Sequence, residues 1–243
     1  MRIAFLYAPV SFGAARPPID FRDVEGYGLT GTDLVFVCYA RELSKRGHTV
    51  HIYCDRAEPS TFGMVSVYPW REWGNLAAAG YDVAIATSNP NALADCPTAT
   101  LRMVNRQVSE FGSDCDDGWD KHVDVVMCPS KKARDIVSAP LAPETRRKFR
   151  VLPNGCYPEK FGGVAPVPGR VAYLSSPDRG LHWLLRIWPE VRRQVPHATL
   201  RIYYYQLATW LVVRTQEQYA NTEEWRRAHY VRYALERLKD LGV

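Results

Sequence analysis

The run Tyr173-Leu174-Ser175-Ser176-Pro177-Asp178-Arg179-Gly180-Leu181 places two hydroxyls and a guanidinium between a strand-like segment and the start of a helical one. Arg179 there offers a forked donor beside backbone amides and the positive end of a helix, and Ser175 and Ser176 offer hydroxyls to the same oxygens. That combination suits a phosphate. Turn chemistry alone also accounts for Pro177, Asp178 and Gly180, so an exposed arginine in a strand-to-helix turn is the plain alternative. A second polar group, Asn105-Arg106-Gln107, directly follows the apolar run from Thr100 to Val104. Ligands of open α/β sheets gather at the carboxyl ends of strands, which makes these three residues candidates for a pocket; a polar loop explains them equally. Ser109 to Asp120, rich in Gly, Ser and Asp, is either a binding loop or simply a loop. Gly31 and Thr32 precede a helical pattern, where a glycine gives ordinary backbone freedom and a threonine a cap.

These groups need a scaffold, and the hydrophobic pattern specifies one. Ile3 to Ala8 is a near-continuous apolar strand of the kind buried on both faces of a parallel sheet. Leu34 to Arg46 reads as a helix stopped by Gly47, and Thr49 to Cys54 as the next strand. Further strands are expected at Val65 to Tyr68, Val83 to Thr87, Thr100 to Val104, Val125 to Cys128 and Arg150 to Leu152, with a helix from Lys131 to Ser138 that Ser130 caps. Strands and helices alternating at this spacing predict an α/β fold with a doubly wound, Rossmann-like first domain over residues 1–157.

Residues 158–169 are rich in Pro and Gly, as a linker is. A second βαβ unit follows in residues 170–243: a strand at Val171 to Leu174, a helix at Leu181 to Val195 that Pro189 should bend or restart, and a strand at Thr199 to Tyr204. From Thr215 to Leu241 the pattern fits a long amphipathic helix or a pair of them. Two strands with their helices do not cover a sheet on both faces, so this second domain is expected to be incomplete, built from fewer parts or completed by another chain.

Taken in order, three segments resemble the family-4 group of retaining GT-B glycosyltransferases. Gly28-Leu29-Thr30-Gly31-Thr32-Asp33 with Arg46-Gly47-His48-Thr49-Val50 is similar to that family's Gly-Gly-x-Glu loop and the strand after its helix. Val151-Leu152-Pro153-Asn154-Gly155 resembles its crossing between domains, and Tyr173 to Leu181 its phosphate clamp, with Arg179 standing where the family has lysine. The resemblance implies a GT-B-like fold and a hexosyltransferase of carbohydrate biosynthesis that moves a sugar from a nucleoside diphosphate sugar to a hydroxyl acceptor with retention. Arg179 would then be the catalytic group that stabilises the leaving phosphate. Gly31, Thr32, Ser175, Ser176 and Gly180 would hold the donor phosphates, Asn105, Arg106 and Gln107 the acceptor, and Asn154 and Gly155 would lie between the domains. The family's paired glutamates have no counterpart: Glu217 and Glu224 are seven apart in a helical stretch and read as solvated. A non-catalytic nucleotide-sugar or glycan-binding subunit that needs a partner chain is therefore the alternative.

Composition sets outer bounds. The chain has 243 residues, a formal net charge of +5 and six scattered cysteines without a C-x-x-C pair, which suggests a reducing, cytoplasmic setting. A pI near 8.9 suits phosphate-bearing ligands or an anionic membrane surface, while no basic stripe interleaved with aromatics points to nucleic acid. No run approaches the roughly 20 apolar residues of a membrane helix, so any membrane contact is expected to be peripheral. No His, Cys or carboxylate cluster has metal-ligand spacing, and no cofactor is expected beyond the nucleotide-sugar substrate. A nicotinamide enzyme is disfavoured because Ala8-Pro9-Val10-Ser11-Phe12-Gly13 is not a dinucleotide-binding loop. Expected partners are the nucleotide-sugar, a glycan, lipid or small-molecule acceptor, and a second copy or completing chain.

Overall fold

The computed structural model describes residues 1–7, 31–54, 59–69, 72, 79–107, 115, 117–163, 165–204 and 207–243. The chain divides into two units, Met1–Cys156 and Tyr157–Val243.

In the first unit the elements are β1 (Arg2–Tyr7), α1 (Gly31–Lys45), β2 (Thr49–Cys54), β3 (Ser60–Phe62), β4 (Val65–Pro69), β5 (Val83–Thr87), a 3₁₀ segment (Pro90–Asp95), β6 (Leu101–Asn105), β7 (Val125–Cys128), α2 (Lys131–Ser138), α3 (Pro143–Arg146) and β8 (Phe149–Val151). They form one eight-stranded sheet in the order β3-β4-β2-β1-β5-β6-β7-β8. Every pairing is parallel except β3 with β4, where a short hairpin places Phe62 opposite Val65. The unit is thus mixed α/β with a mostly parallel sheet, compatible with a Rossmann-like fold. The strand order reverses between β1 and β5, which makes that pair the topological switch point.

Alternation along the strands explains how the sheet is covered. Ile3, Phe5, Val50, Ile52 and Ile85 lie on one face and bury Phe36, Val37 and Ala40 of α1. Ala4, Leu6, Ala84, Ala86, Val104 and Val126 lie on the other, with Leu93 and Val137 packed among them. Both faces being buried, the strands carry near-continuous apolar runs. α1 ends at Gly47, whose φ of +83° is the left-handed conformation a helix stop needs. α2 starts as expected, with the Ser130 hydroxyl accepting the Ala133 amide at 3.1 Å.

The second unit holds β9 (Arg170–Tyr173), a 3₁₀ turn (Pro177–Arg179), α4 (Leu181–Gln194), β10 (Thr199–Ile202), α5 (Leu207–Arg214), a 3₁₀ turn (Glu217–Tyr219) and α6 (Glu223–Arg237). β9 and β10 pair in parallel, with Val171 opposite Leu200 and Tyr173 opposite Ile202. Leu181, Leu185 and Trp188 of α4 pack with Leu200 and with Val231 and Ala234 of α6. α4 runs unbroken through Pro189, so the expected restart does not occur. The single long helix considered from Thr215 to Leu241 is not formed. Asn221 takes a φ of +67°, and Thr222 caps a new helix by accepting the Trp225 amide at 3.1 Å. Glu217 and Glu224 consequently lie in different elements, and Glu224 pairs with Arg214 at 3.1 Å.

Candidate functional site

In the second unit the run from Tyr173 to Leu181 is a strand, a tight turn and a helix start. Gly180 is the N-cap of α4 with a φ of +104°, and its carbonyl accepts the amides of Trp183 and Leu184 at 3.0 and 3.1 Å. An L side chain at residue 180 would be strained by that φ, although the space around it is open. Pro177 is buried and anchors the turn, while Arg179 projects outward with 69% of its side chain exposed. Its Nε lies 3.4 Å from Asp178, an exposed pairing of the kind that contributes little net free energy. The guanidinium is therefore available to an anion at low cost. Ser175 is exposed, and the Ser176 hydroxyl donates to the Asp178 carboxylate.

Tyr173 adds a feature that local sequence reading did not single out. Its hydroxyl donates to the Ser176 carbonyl at 2.7 Å and sits against the Leu181 amide, at the head of α4. Burial pushes this phenol above its ordinary range, with the Leu181 amide acting in the opposite direction, so it stays protonated at neutral pH. A phosphate at this turn would thus be met by Arg179, Ser175 and the remaining turn amides, with Tyr173 bracing the turn from beneath.

In the first unit the polar residues collect at the carboxyl edge of the sheet, around the switch point. Tyr7 ends β1 and its hydroxyl donates to Asp33, which is 1% exposed in the first turn of α1. Gly31 opens the same helix with nothing among the described residues within 4 Å of where a side chain would begin, and Thr32 is half-buried beside it. Thr87 ends β5 opposite Asn105 of β6. It is 1% exposed, and its hydroxyl has no hydrogen-bond partner among the described residues. The next residue, Ser88, has a φ of +66°, a conformation that costs a non-glycine residue about 1 kcal/mol or more.

The three residues assigned to the pocket divide their work. Arg106 is 2% exposed, and its Nη1 donates to the Ser88 carbonyl at 2.7 Å, holding the strained turn. Asn105, also 2% exposed, accepts from Gln107 at 2.7 Å, and Gln107 in turn accepts from Asn154 at 2.9 Å. This chain of amides fixes Asn154, which with Gly155 lies exposed just after β8. Cys128, at the end of β7, is buried, which pushes its thiol up against the opposing pull of Arg106 and Arg134. In the other unit, burial together with Arg227 and Arg186 lowers the pKa of His182, so this histidine is a neutral residue of the packed interior. His48 is half-buried after α1. The expected loop over residues 109–120 falls largely outside the described residues, as do Gly28 to Thr30.

Replacing Thr87 with valine tests the orphan hydroxyl. The swap keeps the shape and removes an unpaired buried polar group, so stability is expected to rise by about 1 kcal/mol. A urea titration reads this directly, and a loss of stability would mean that the hydroxyl is satisfied.

Among the described residues no group of three or more His, Cys, Asp or Glu is placed to hold a metal ion, and no helix is long and apolar enough to cross a membrane. No protein-family description matches the chain, and no curated protein does either.

Proposed function

We propose that the chain is a GT-B-type glycosyltransferase that uses a nucleoside diphosphate sugar and a hydroxyl acceptor, without a metal and with retention. The observation that carries this reading is the β9–α4 turn, where an outward, weakly engaged Arg179 stands beside the glycine-capped start of a 14-residue helix. Cleavage of the sugar–phosphate bond builds negative charge on the leaving diphosphate, and the Arg179 guanidinium beside the positive end of α4 meets that charge. Ser175 and Gly180 complete this contact. Within the first unit, Gly31 and Thr32 at the start of α1 are assigned to phosphate contact. Asn105 and Gln107 are assigned to the acceptor, with Arg106 as the residue that positions them.

The bare side of the β9–β10 pair supports the alternative of a binding subunit completed by another chain. Arg170, Ala172 and Leu174, which alternate away from the packed interior, are all exposed, Leu174 at 73%. The two readings share nucleotide binding and differ in turnover.

Asp178 supplies the test of the shared part. Its carboxylate engages both Arg179 and Ser176 and repels an incoming phosphate. Asp178→Asn should therefore tighten binding of UDP, GDP or ADP, whichever the protein accepts, by roughly twofold to fivefold in titration calorimetry. Weaker or unchanged binding in the variant, or no binding of any of the three by the natural protein, overturns the assignment of this turn.

A further inference from the structure

The charge of the chain is unevenly divided. Of its 31 Lys and Arg and 26 Asp and Glu, the second unit holds 13 and 8, so the entire formal excess of +5 resides there and the first unit balances at 18 of each. Three of these cations, Arg186, Arg226 and Arg237, sit with aromatic rings on the outer face of α4 and α6. Trp183, Arg186 and Ile187 are spaced i, i+3, i+4 and share one side of α4, and Trp183 and Ile187 are 57% and 55% exposed. Arg226, Tyr230, Tyr233 and Arg237 are spaced i, i+4, i+7, i+11 along α6, with Tyr233 54% exposed. Arg186 joins the two stripes, its guanidinium lying 4.8 Å from the Trp183 ring centre and 5.1 Å from that of Tyr230. Arg237 lies 5.2 Å over Tyr233. Of the neighbouring carboxylates, Glu190 and Glu223 are already tied to Arg193 and Arg227, while Glu236 is exposed at the edge of this face.

We propose that this face of α4 and α6 docks on the surface of an anionic lipid bilayer. Tryptophan and tyrosine combine an apolar ring with a polar edge and settle at the headgroup level, where Ile187 adds a purely apolar contact. Among the described residues Arg186, Arg226 and Arg237 have no carboxylate partner, and they meet the anionic headgroups. Arg186 and Arg237 lie against aromatic rings, which holds them in place before contact and lowers the cost of ordering them on the surface. The contact is peripheral, since α4 and α6 bury their opposite sides in the packed interior of the unit. The proposal rests on this face alone and stands whether or not the chain transfers sugar.

The test is flotation of the full chain with vesicles of phosphatidylcholine alone and of phosphatidylcholine with one third phosphatidylglycerol. Binding is expected only to the anionic vesicles, with weakening as salt is raised. Each arginine lost should reduce partitioning about fivefold, so the triple variant Arg186→Gln, Arg226→Gln, Arg237→Gln should bind on the order of 100-fold more weakly. Ile187→Asp, a change at an exposed position that leaves the arginines intact, should also release the protein. Circular dichroism melts of both variants establish that they are folded. Equal binding to neutral vesicles, no binding to either kind, or full binding by the folded triple variant overturns the proposal. So does tighter binding to a single-stranded oligonucleotide than to anionic vesicles, or a dimer that Ile187→Asp dissociates, because either outcome assigns the face to a different partner.

Discussion

Replacing Arg179 with alanine is expected to lower the release of nucleotide from the donor sugar on the order of 100- to 1,000-fold, the usual cost of removing one donor from a developing anion. The side chain is 69% exposed and its partner Asp178 is a turn residue, so the variant should keep its fold and its melting temperature. The loss should fall on turnover more than on the apparent affinity for donor, because the charge that Arg179 meets is larger in the transition state than in the bound substrate. Arg179→Lys should recover part of the rate, as a point charge without the forked geometry. Steady-state assays of nucleotide release from both variants measure this. An alanine variant with unchanged turnover removes Arg179 from the chemistry and leaves it as a surface residue of a turn.

Trp188→Ala is expected to cost the second unit about 3–5 kcal/mol. Trp188 is 0% exposed, packs among Leu181, Leu185, Leu200 and Val231, and donates its indole N–H to the Leu241 carbonyl at 3.0 Å. Truncation removes the apolar filling and also strands a carbonyl that loses its donor. With domain stabilities of only about 5–15 kcal/mol, this unit should unfold well below the transition of the first. Trp183→Ala, at a position 57% exposed, should change stability by less than about 0.5 kcal/mol. Urea titrations followed by tryptophan fluorescence separate the two variants. A cost below about 1 kcal/mol for Trp188→Ala would contradict the packing described for α4, α6 and β10.

The sheet was legible because buried parallel strands advertise themselves. Thr49–Cys54, Val83–Thr87, Val125–Cys128 and the helix Lys131–Ser138 have the bounds that apolar runs and the Ser130 cap predict. β3 escaped because three residues in a hairpin carry no periodicity, and its pairing with β4 depends on the turn between them. α1 begins at Gly31, three residues before its apolar pattern does, because its first turn buries Asp33 against Tyr7 and not against the apolar interior. A buried carboxylate with a partner 26 positions away leaves no local mark. The same holds for the Thr87 hydroxyl and for Arg106, whose partners are set by strand register. Toward the carboxyl end, α5 (Leu207–Arg214) was not anticipated, because its run is apolar nearly throughout and shows no helical stripe, and the start of α6 was blurred because helical spacing continues across Asn221, where the left-handed residue resets the direction of the chain. The β9–α4 turn was legible in outline, since Pro177 and Gly180 punctuate it. The bracing of that turn by Tyr173 was not, because it depends on a side chain folding back over a helix start that only the folded chain creates.

Whether this turn serves sugar transfer is decided by one measurement. The protein is incubated with a panel of UDP-, GDP- and ADP-sugars in the presence of simple hydroxyl acceptors, and proton NMR follows both nucleotide release and the anomeric configuration of the new product. The account predicts turnover of at least one donor with the anomeric configuration retained. Inverted product would contradict the retaining assignment, and no turnover of any donor would leave the chain as a binding protein.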